Sequence, residues 1–432
     1  MANNSDGSDA APPLQIDYVP PSHDPYAALR VGNFLLYTFS FLMLLIGAQI
    51  QNLAFGWELY ERTNSKMALG WYGLVQAVPM FIFTLPAGQL ADWMDRKKII
   101  LSAQFVSCLC ASGLAFVSFN GGSLQAMFVC IGLNATAAVF VRPARGALLP
   151  QILSRPVFNN AVMWSNISFQ VAQVAGPAAG GILIKFFGVK NAYIFNAGCM
   201  IVGLAAMAFV KAPKTVGEPK AVTLKGLAAG LNFVFRTKVI LAALTLDMFG
   251  VLFGGATYLL PVFAKDILHV DEKGLGWMTA AGAIGGGLTA ALLAHLPPMK
   301  NAGRALLWAV TGFGFATVIF GISTSFWLSI SMLFLIGALD SISVVVRHTL
   351  VQVLAPETMR GRISAVNSMF IGASNELGGF ESGLTAFLFG AVGSVVAGGF
   401  GTVLVVLSVS LLWPQLGKVK SLHDLQPEPE QA

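Results

Sequence analysis

The chain has 432 residues, 56% of them hydrophobic and only 11% charged, with a formal net charge of +6. A soluble globular protein carries about 25% charged residues, so a water-facing surface over most of the molecule is excluded. Nucleic-acid binding is set aside as well, because the basic residues are spread over short loops instead of gathered on one face.

The amino-terminal stretch "MANNSDGSDAAPPLQIDYVPPSHDPY" is polar, acidic and Pro-containing. It lacks the basic region and apolar core of a secretory signal, and residues 1–30 are expected to be a flexible tail. Twelve apolar segments follow, each near the roughly 20 residues that cross a bilayer. They start near Asn33, Met67, Ile99, Ser123, Val157, Asn191, Val239, Gly274, Ala305, Phe326, Ile363 and Gly393. Pro and Gly interrupt several of them, which neighbouring helices make tolerable by satisfying the freed backbone groups. Six segments fall in 31–211 and six in 239–414. The polar linker 212–238 includes "LKGLAAGLNFVFRTK", which reads as an amphipathic helix on the membrane surface. Residues 415–432 read as a second tail.

Twelve spans put both termini on one side. That side is expected to hold 20 of the 26 Lys and Arg, with Arg96, Lys97, Lys98, Arg142, Arg145, Arg155 and Arg347 among the loop residues. The six on the other side are Arg62, Lys66, Lys185, Lys190, Lys265 and Lys273. The positive-inside rule then places both termini in the cytoplasm.

The tripeptide Leu69-Gly70-Trp71 returns as Leu275-Gly276-Trp277. At a nearly identical offset, Ile131-Gly132 matches Ile336-Gly337, Arg142 matches Arg347, Leu149 matches Leu354 and Arg155 matches Arg360. Similarity at constant offset and in the same order marks a duplicated bundle. An offset of six spans gives two halves of like orientation, related by a pseudo-twofold axis along the membrane normal. The expected fold is therefore an all-α membrane protein of two six-helix bundles.

After the second span the chain reads "GQLADWMDRKK". It resembles the signature of the major facilitator superfamily between helices 2 and 3, with Gly88, Leu90, Asp92, Arg96 and Lys97 matching and Asp95 in place of the usual second glycine. "GPAAGG" in the fifth span (Gly176, Pro177, Gly180 and Gly181) is similar to the tail of that family's antiporter signature, with Ala172 at the upstream glycine. "PETMRGRISAVNSMFIGASNELGGFESG" resembles the branch that includes the enterobactin exporter and related efflux permeases. The resemblance implies a secondary transporter working by alternating access. It also implies that Gly88, Asp92 and Arg96 form a cytoplasmic gate against the start of helix 11, with Arg96 placed to pair with Asp92.

Acids inside spans are functional candidates because burying a carboxylate is costly. Asp247 and Glu376 lead as proton carriers. Asp340 and Glu381 follow, Asp340 being placed to pair with Arg347 and Glu381 lying nearer the outer surface. Asn166, Gln170 and Gln173 share one face of the fifth span; with Gln49, Asn52 and Asn134 they are expected to line a central cavity. The four cysteines (Cys108, Cys110, Cys130 and Cys199) sit in apolar runs and read as small buried hydrophobes. No Walker A, H-E-x-x-H or G-x-S-x-G motif is present, so the reading is not an enzyme and calls for no cofactor or metal. The expected function is proton-coupled export of small amphiphilic molecules by a monomer in lipid. An importer or lipid flippase on the same fold is the alternative, with a non-transporting sensor a weaker third.

Overall fold

The computed structural model describes residues 24–213, 224–297, 299–356 and 359–420. Among the described residues, eleven helices are long and apolar enough to cross a membrane. The last of them, Arg360–Leu412, runs for 53 residues and contains non-helical Gly390. At 1.5 Å per residue such a rod would be about 80 Å long, far beyond a hydrocarbon core of about 30 Å. Gly390 therefore divides it into two spans, which makes twelve.

The first half comprises Gly32–Thr63, Lys66–Trp93, Arg96–Phe119, Leu124–Leu148, Arg155–Phe187 and Val189–Phe209 as the first to sixth spans. In the second half the seventh to tenth spans are Lys238–Phe253, Glu272–His295, Ala302–Ile322 and Phe326–Leu354. The two limbs of Arg360–Leu412 are the eleventh and twelfth. The helix starts fall within a few residues of the positions expected from hydropathy.

Twelve crossings bring the first and last described residues to one face, here called the terminal side. The opposite face is the far side. The predicted tails are docked where they are described. Ala28 is fully buried, and Asn160 and Trp164 donate side-chain hydrogen bonds to the carbonyl of Pro25. At the other end, the amides of Ala302 and Gly303 bond the carbonyls of Lys420 and Val419. Residues 1–23 and 421–432 lie outside the described residues. In the linker, Leu224–Arg236 is a helix that packs on the eleventh span. It buries Val234 and leaves Phe235 exposed. Arg142, Arg145 and Arg347 lie within the fourth and tenth spans, not in loops, and Arg347 is fully buried.

The duplication is visible in the backbone. Gly188, between the fifth and sixth spans, has φ 82° and ψ 160°; Gly390, between the eleventh and twelfth, has φ 81° and ψ 161°. Such dihedrals are open almost only to glycine, so both corners are the same device. Their offset of 202, where earlier matches gave 205, records a three-residue slip between the halves.

Burial follows the two-half plan. One core joins both halves on the far side, with Leu59, Tyr60 and Leu69 from the first and Leu260, Phe263 and Leu275 from the second. On the terminal side the cores are separate. One holds Phe34, Ile99 and Leu148, and the other Leu244, Leu306 and Leu350. The halves are thus sealed together on the far side and parted on the terminal side.

Candidate functional site

The seal is made by glycines. A Cβ added to Gly181 of the fifth span would stand 2.5 Å from the carbonyl oxygen of Glu272 and 2.9 Å from the Cα of Gly276. At the other seam, a Cβ on Gly70 would stand 3.1 Å from the Cα of Gly383, and one on Gly73 would stand 3.0 Å from the carbonyl oxygen of Glu376. Small residues let helix backbones approach this closely. The repeated LGW is therefore the same contact made twice. Its Leu is buried, its Gly meets the opposite half, and its Trp is exposed at the outer surface of the helix bundle. In "GPAAGG", Gly176 and Gly180 instead face the first span, at Gln49 and at Ile50 and Leu53 respectively. The carbonyl oxygen of Pro177 borders Gly276.

Polar contacts close the far rim. Tyr60 donates to Asp266, Lys185 pairs with Asp271, and the Lys265 ammonium sits 5.8 Å from the Tyr60 ring centroid. Lys185 holds the Asp271 carboxyl below its ordinary range, and the amide of Gly274 adds to this as a helix cap. A depressed carboxylate pKa keeps the contact intact at every pH above the ordinary value of about 3.9. It is lost only as pH falls through the lower, folded value. Because both side chains are about 40% exposed, the pair contributes about 0–1 kcal/mol. Lys185→Gln is expected to change the far-side-closed population by about fivefold at most, with no pH dependence between 5 and 8, as read from spin-label distances across the rim.

Below the seal lies a chamber of about 250 Å³, walled by both halves. The first half supplies Gln49, Asn52, Tyr72 and Gln76, and the second Thr257, Tyr258, Thr279 and Glu376. Tyr258 donates a hydrogen bond of 2.5 Å to Glu376 Oε2, and Tyr72 one of 3.0 Å to Asn52 Oδ1. The two tyrosine rings meet edge to face at 6.1 Å. Thr257 and Tyr258 reach the chamber because the seventh span breaks after Phe253 at Gly254-Gly255, then continues through 3-10 and π turns to Ile267. Broken backbone at membrane depth is tolerated where it lines a cavity.

Of the six polar residues expected around a cavity, the structure brings Gln49 and Asn52 to this one. Gln49 lies level with Gly176. Gln173, Gln170 and Asn166 are therefore about 4.5, 9 and 15 Å nearer the terminal side along the fifth span. Gln170 touches Gly287 of the eighth span, Gln173 is half-buried and Asn166 is exposed. Asn134 is half-buried off the chamber. Tyr72, Gln76, Tyr258 and Thr279 were missed. Tyr258 alone had a signal, the Gly-Gly and Pro that interrupt "FGGATYLLP".

The acids separate likewise. Among the described residues, Glu376 is the one carboxylate on the chamber wall. Asp247 is buried and paired with Arg347, which corrects the expected Asp340–Arg347 pair. Asp340 and Arg347 are seven residues, about 10 Å, apart on one helix, whereas the seventh span brings Asp247 directly to the guanidinium. Asp340 lines a void of about 10 Å³ beside Asp247 and Ser343. Glu381 lies toward the far side and accepts from Ser382 at 3.4 Å.

On the terminal side, a Cβ on Gly88 would meet nothing within 4 Å, and Asp92 has no hydrogen bond or ion pair among the described residues. Arg96 donates to the carbonyl of Ala91 at 3.4 Å, in place of the expected pairing with Asp92. Asp95, at the signature's missing glycine, has φ −58° and caps the third span by accepting from the amides of Lys97 and Lys98. The parted halves leave these residues without the close helix neighbour that a gate contact needs.

A family model of the major facilitator superfamily, described as transmembrane secretion effector, matches residues 23–430. The chain belongs to this family. It is a multi-pass membrane protein of a transporter family. The enterobactin exporter EntS of Citrobacter koseri is 26% identical over 95% of this chain and 96% of its own length. The multidrug efflux pump Tap of Mycolicibacterium fortuitum is 24% identical over 80% of this chain and 87% of its own. Among solved structures, the peptide transporter POT superposes with a TM-score of 0.70 at 11% identity, over 93% of this chain and all of that one. A bacterial homologue of the lysosomal transporter Spinster, described as inward-facing and unoccupied, gives 0.65 at 13% identity, over 92% and 97%. These superpositions establish the fold of this family member.

Proposed function

We propose that this protein exports small amphiphilic molecules across the bacterial inner membrane in exchange for protons. Its two halves, 31–211 and 239–414, would rock about the glycine seams. The observation that carries the reading is Glu376. It is the chamber's carboxylate, its own backbone carbonyl touches Gly73 in the far-side seam, and the halves are parted on the terminal side. Loading of that carboxylate and packing of the seam thus meet at one residue. The relatives' names support export, and the charge bias supports cytoplasmic termini, so that the parted side faces the cytoplasm.

In this scheme the cytoplasm-facing state takes up cargo, the terminal side closes by bringing Asp92 and Gly88 against the second half, and the seams open outward. A proton then reaches Glu376 from outside and is released inside. A buried carboxyl favours the proton and a wetted one releases it, so exposure on alternate sides moves protons inward. The site is complete in one copy, and a monomer in lipid suffices.

Reconstitution into proteoliposomes tests the reading. Efflux of amphiphilic probes is expected to follow an imposed pH gradient, and Glu376→Gln is expected to remove that dependence. Transport that ignores the gradient in the wild-type protein overturns proton coupling.

A further inference from the structure

The first half carries a second cavity, away from the chamber. It is a cleft of about 280 Å³ at the terminal ends of the second, third and fourth spans. The second and third spans hardly touch, and the fourth packs against both. The fourth therefore makes the floor, and the gap between the other two makes the mouth. Ile99, Ala103 and Ala137 are buried inside the cleft, whereas Met94, Val106 and Leu133 are exposed at its edge. Beside the mouth the third span exposes Phe105 and Leu109, an apolar surface that faces lipid. From Ile99 to Val106 the cleft runs about 10 Å along the helix, roughly two-thirds of one leaflet of a hydrocarbon core about 30 Å thick. Its two hydroxyls are spent on their own helices. Ser102 donates to the carbonyl of Ile99 and Thr136 to that of Gly132. The wall therefore presents hydrocarbon to a guest.

Positive charge gathers at the terminal end of this cleft. Arg96, Lys97 and Lys98 open the third span directly before Ile99. Among the described residues none of the three pairs with a carboxylate. Arg96 and Lys97 donate to the backbone carbonyls of Ala91 and Ala208, and Lys98 is exposed. The neighbouring Asp95 accepts from the amides of Lys97 and Lys98. Asp92, two residues on from Leu90 of the cleft wall, lies about 200° round the second span from it. Exposed Trp93 stands at the same level, where indole rings settle among lipid headgroups.

We infer that this cleft holds one acyl chain of an anionic phospholipid from the terminal-side leaflet, with the lipid phosphate at Arg96 and Lys98. Basic pockets between membrane helices hold anionic headgroups, and each Lys or Arg near the surface adds about fivefold in affinity. A zwitterionic lipid offers the same chain without the net charge. The site lies wholly in the first half, so it is independent of what the chamber carries and of how that transport is driven.

Native mass spectrometry tests the assignment. The full-length protein is delipidated in detergent and titrated with phosphatidylglycerol and phosphatidylcholine of identical chains. One phosphatidylglycerol is expected to bind ahead of all further lipid, and more tightly than phosphatidylcholine. Arg96→Gln combined with Lys98→Gln should weaken that phosphatidylglycerol by about fivefold per charge removed and leave phosphatidylcholine unchanged. Ala137→Phe, which fills the cleft, should remove the tight adduct. Val106→Trp at the exposed edge blocks the mouth and makes the same test if the buried variant does not fold. Equal binding of the two lipids, unmoved by the loss of both charges, overturns the headgroup assignment. A tight phosphatidylglycerol adduct that survives Val106→Trp overturns the cleft as its seat.

Discussion

Gly181→Val and Gly276→Val are each expected to abolish the sealed far side. Each places branched carbon where the nearest atoms are helix backbone, which cannot swing away as a side chain can. Overpacking of this kind costs about 1–3 kcal/mol, about 5- to 150-fold in the ratio of far-side-closed to far-side-open molecules. Spin labels at exposed Asn64 and Lys273, one from each half on the far side, should move apart in both variants, and transport should fall with the lost population. Gly70→Val is expected to act in the same direction through the other seam, because the LGW repeat places the two glycines alike. Gly88→Val should leave the Asn64–Lys273 distance unchanged, since a side chain there meets nothing in this state. Its transport should nonetheless fall if the terminal side closes through Gly88. An unchanged distance in Gly181→Val would mean that the seam yields, and that the halves are not hinged on it.

These seams show what the sequence made legible. Period, length and charge located twelve helices, because each span must bury a long apolar stretch in lipid whatever its neighbours are. Duplication was readable through LGW, because a glycine required by backbone contact tolerates little else. What LGW does was not readable, since a contact between distant helices leaves no local pattern. The matching corners at Gly188 and Gly390 escaped for a simpler reason: a three-residue slip moved them off the register of the other matches.

The site was read in part. Glu376, Gln49 and Asn52 stood out as polar groups in apolar runs, and the chamber contains all three. Tyr72 and Tyr258 did not, because a tyrosine in a membrane helix is ordinary until its hydroxyl is seen to have a partner. The fifth-span residues Asn166, Gln170 and Gln173, expected on a cavity wall, are not among the residues that line the chamber. Their depth along the helix depended on where Gly176 meets Gln49, and helical periodicity gives a face but no depth. The pairing of Arg347 failed similarly. Asp340 was the nearest acid along the chain, and Asp247 is the nearest in space.

That last pair decides between two roles for Asp247. Its carboxylate and the Arg347 guanidinium are both almost wholly buried, in a core belonging to the second half alone. Removing one partner strands the other charge, at a cost of about 3–5 kcal/mol, whereas replacing both with apolar side chains of similar volume is often neutral. Arg347→Met is therefore expected to lower the unfolding midpoint in detergent sharply. Arg347→Met combined with Asp247→Leu should recover most of the loss. Because Asp247 is spent on a guanidinium while Glu376 keeps an open oxygen beside the chamber, the double variant should retain transport driven by a pH gradient, which Glu376→Gln should not. A stable double variant that transports without regard to the gradient would move Asp247 into the proton path, and the ion pair would then be a state of the cycle and not a fixed strut of the second half.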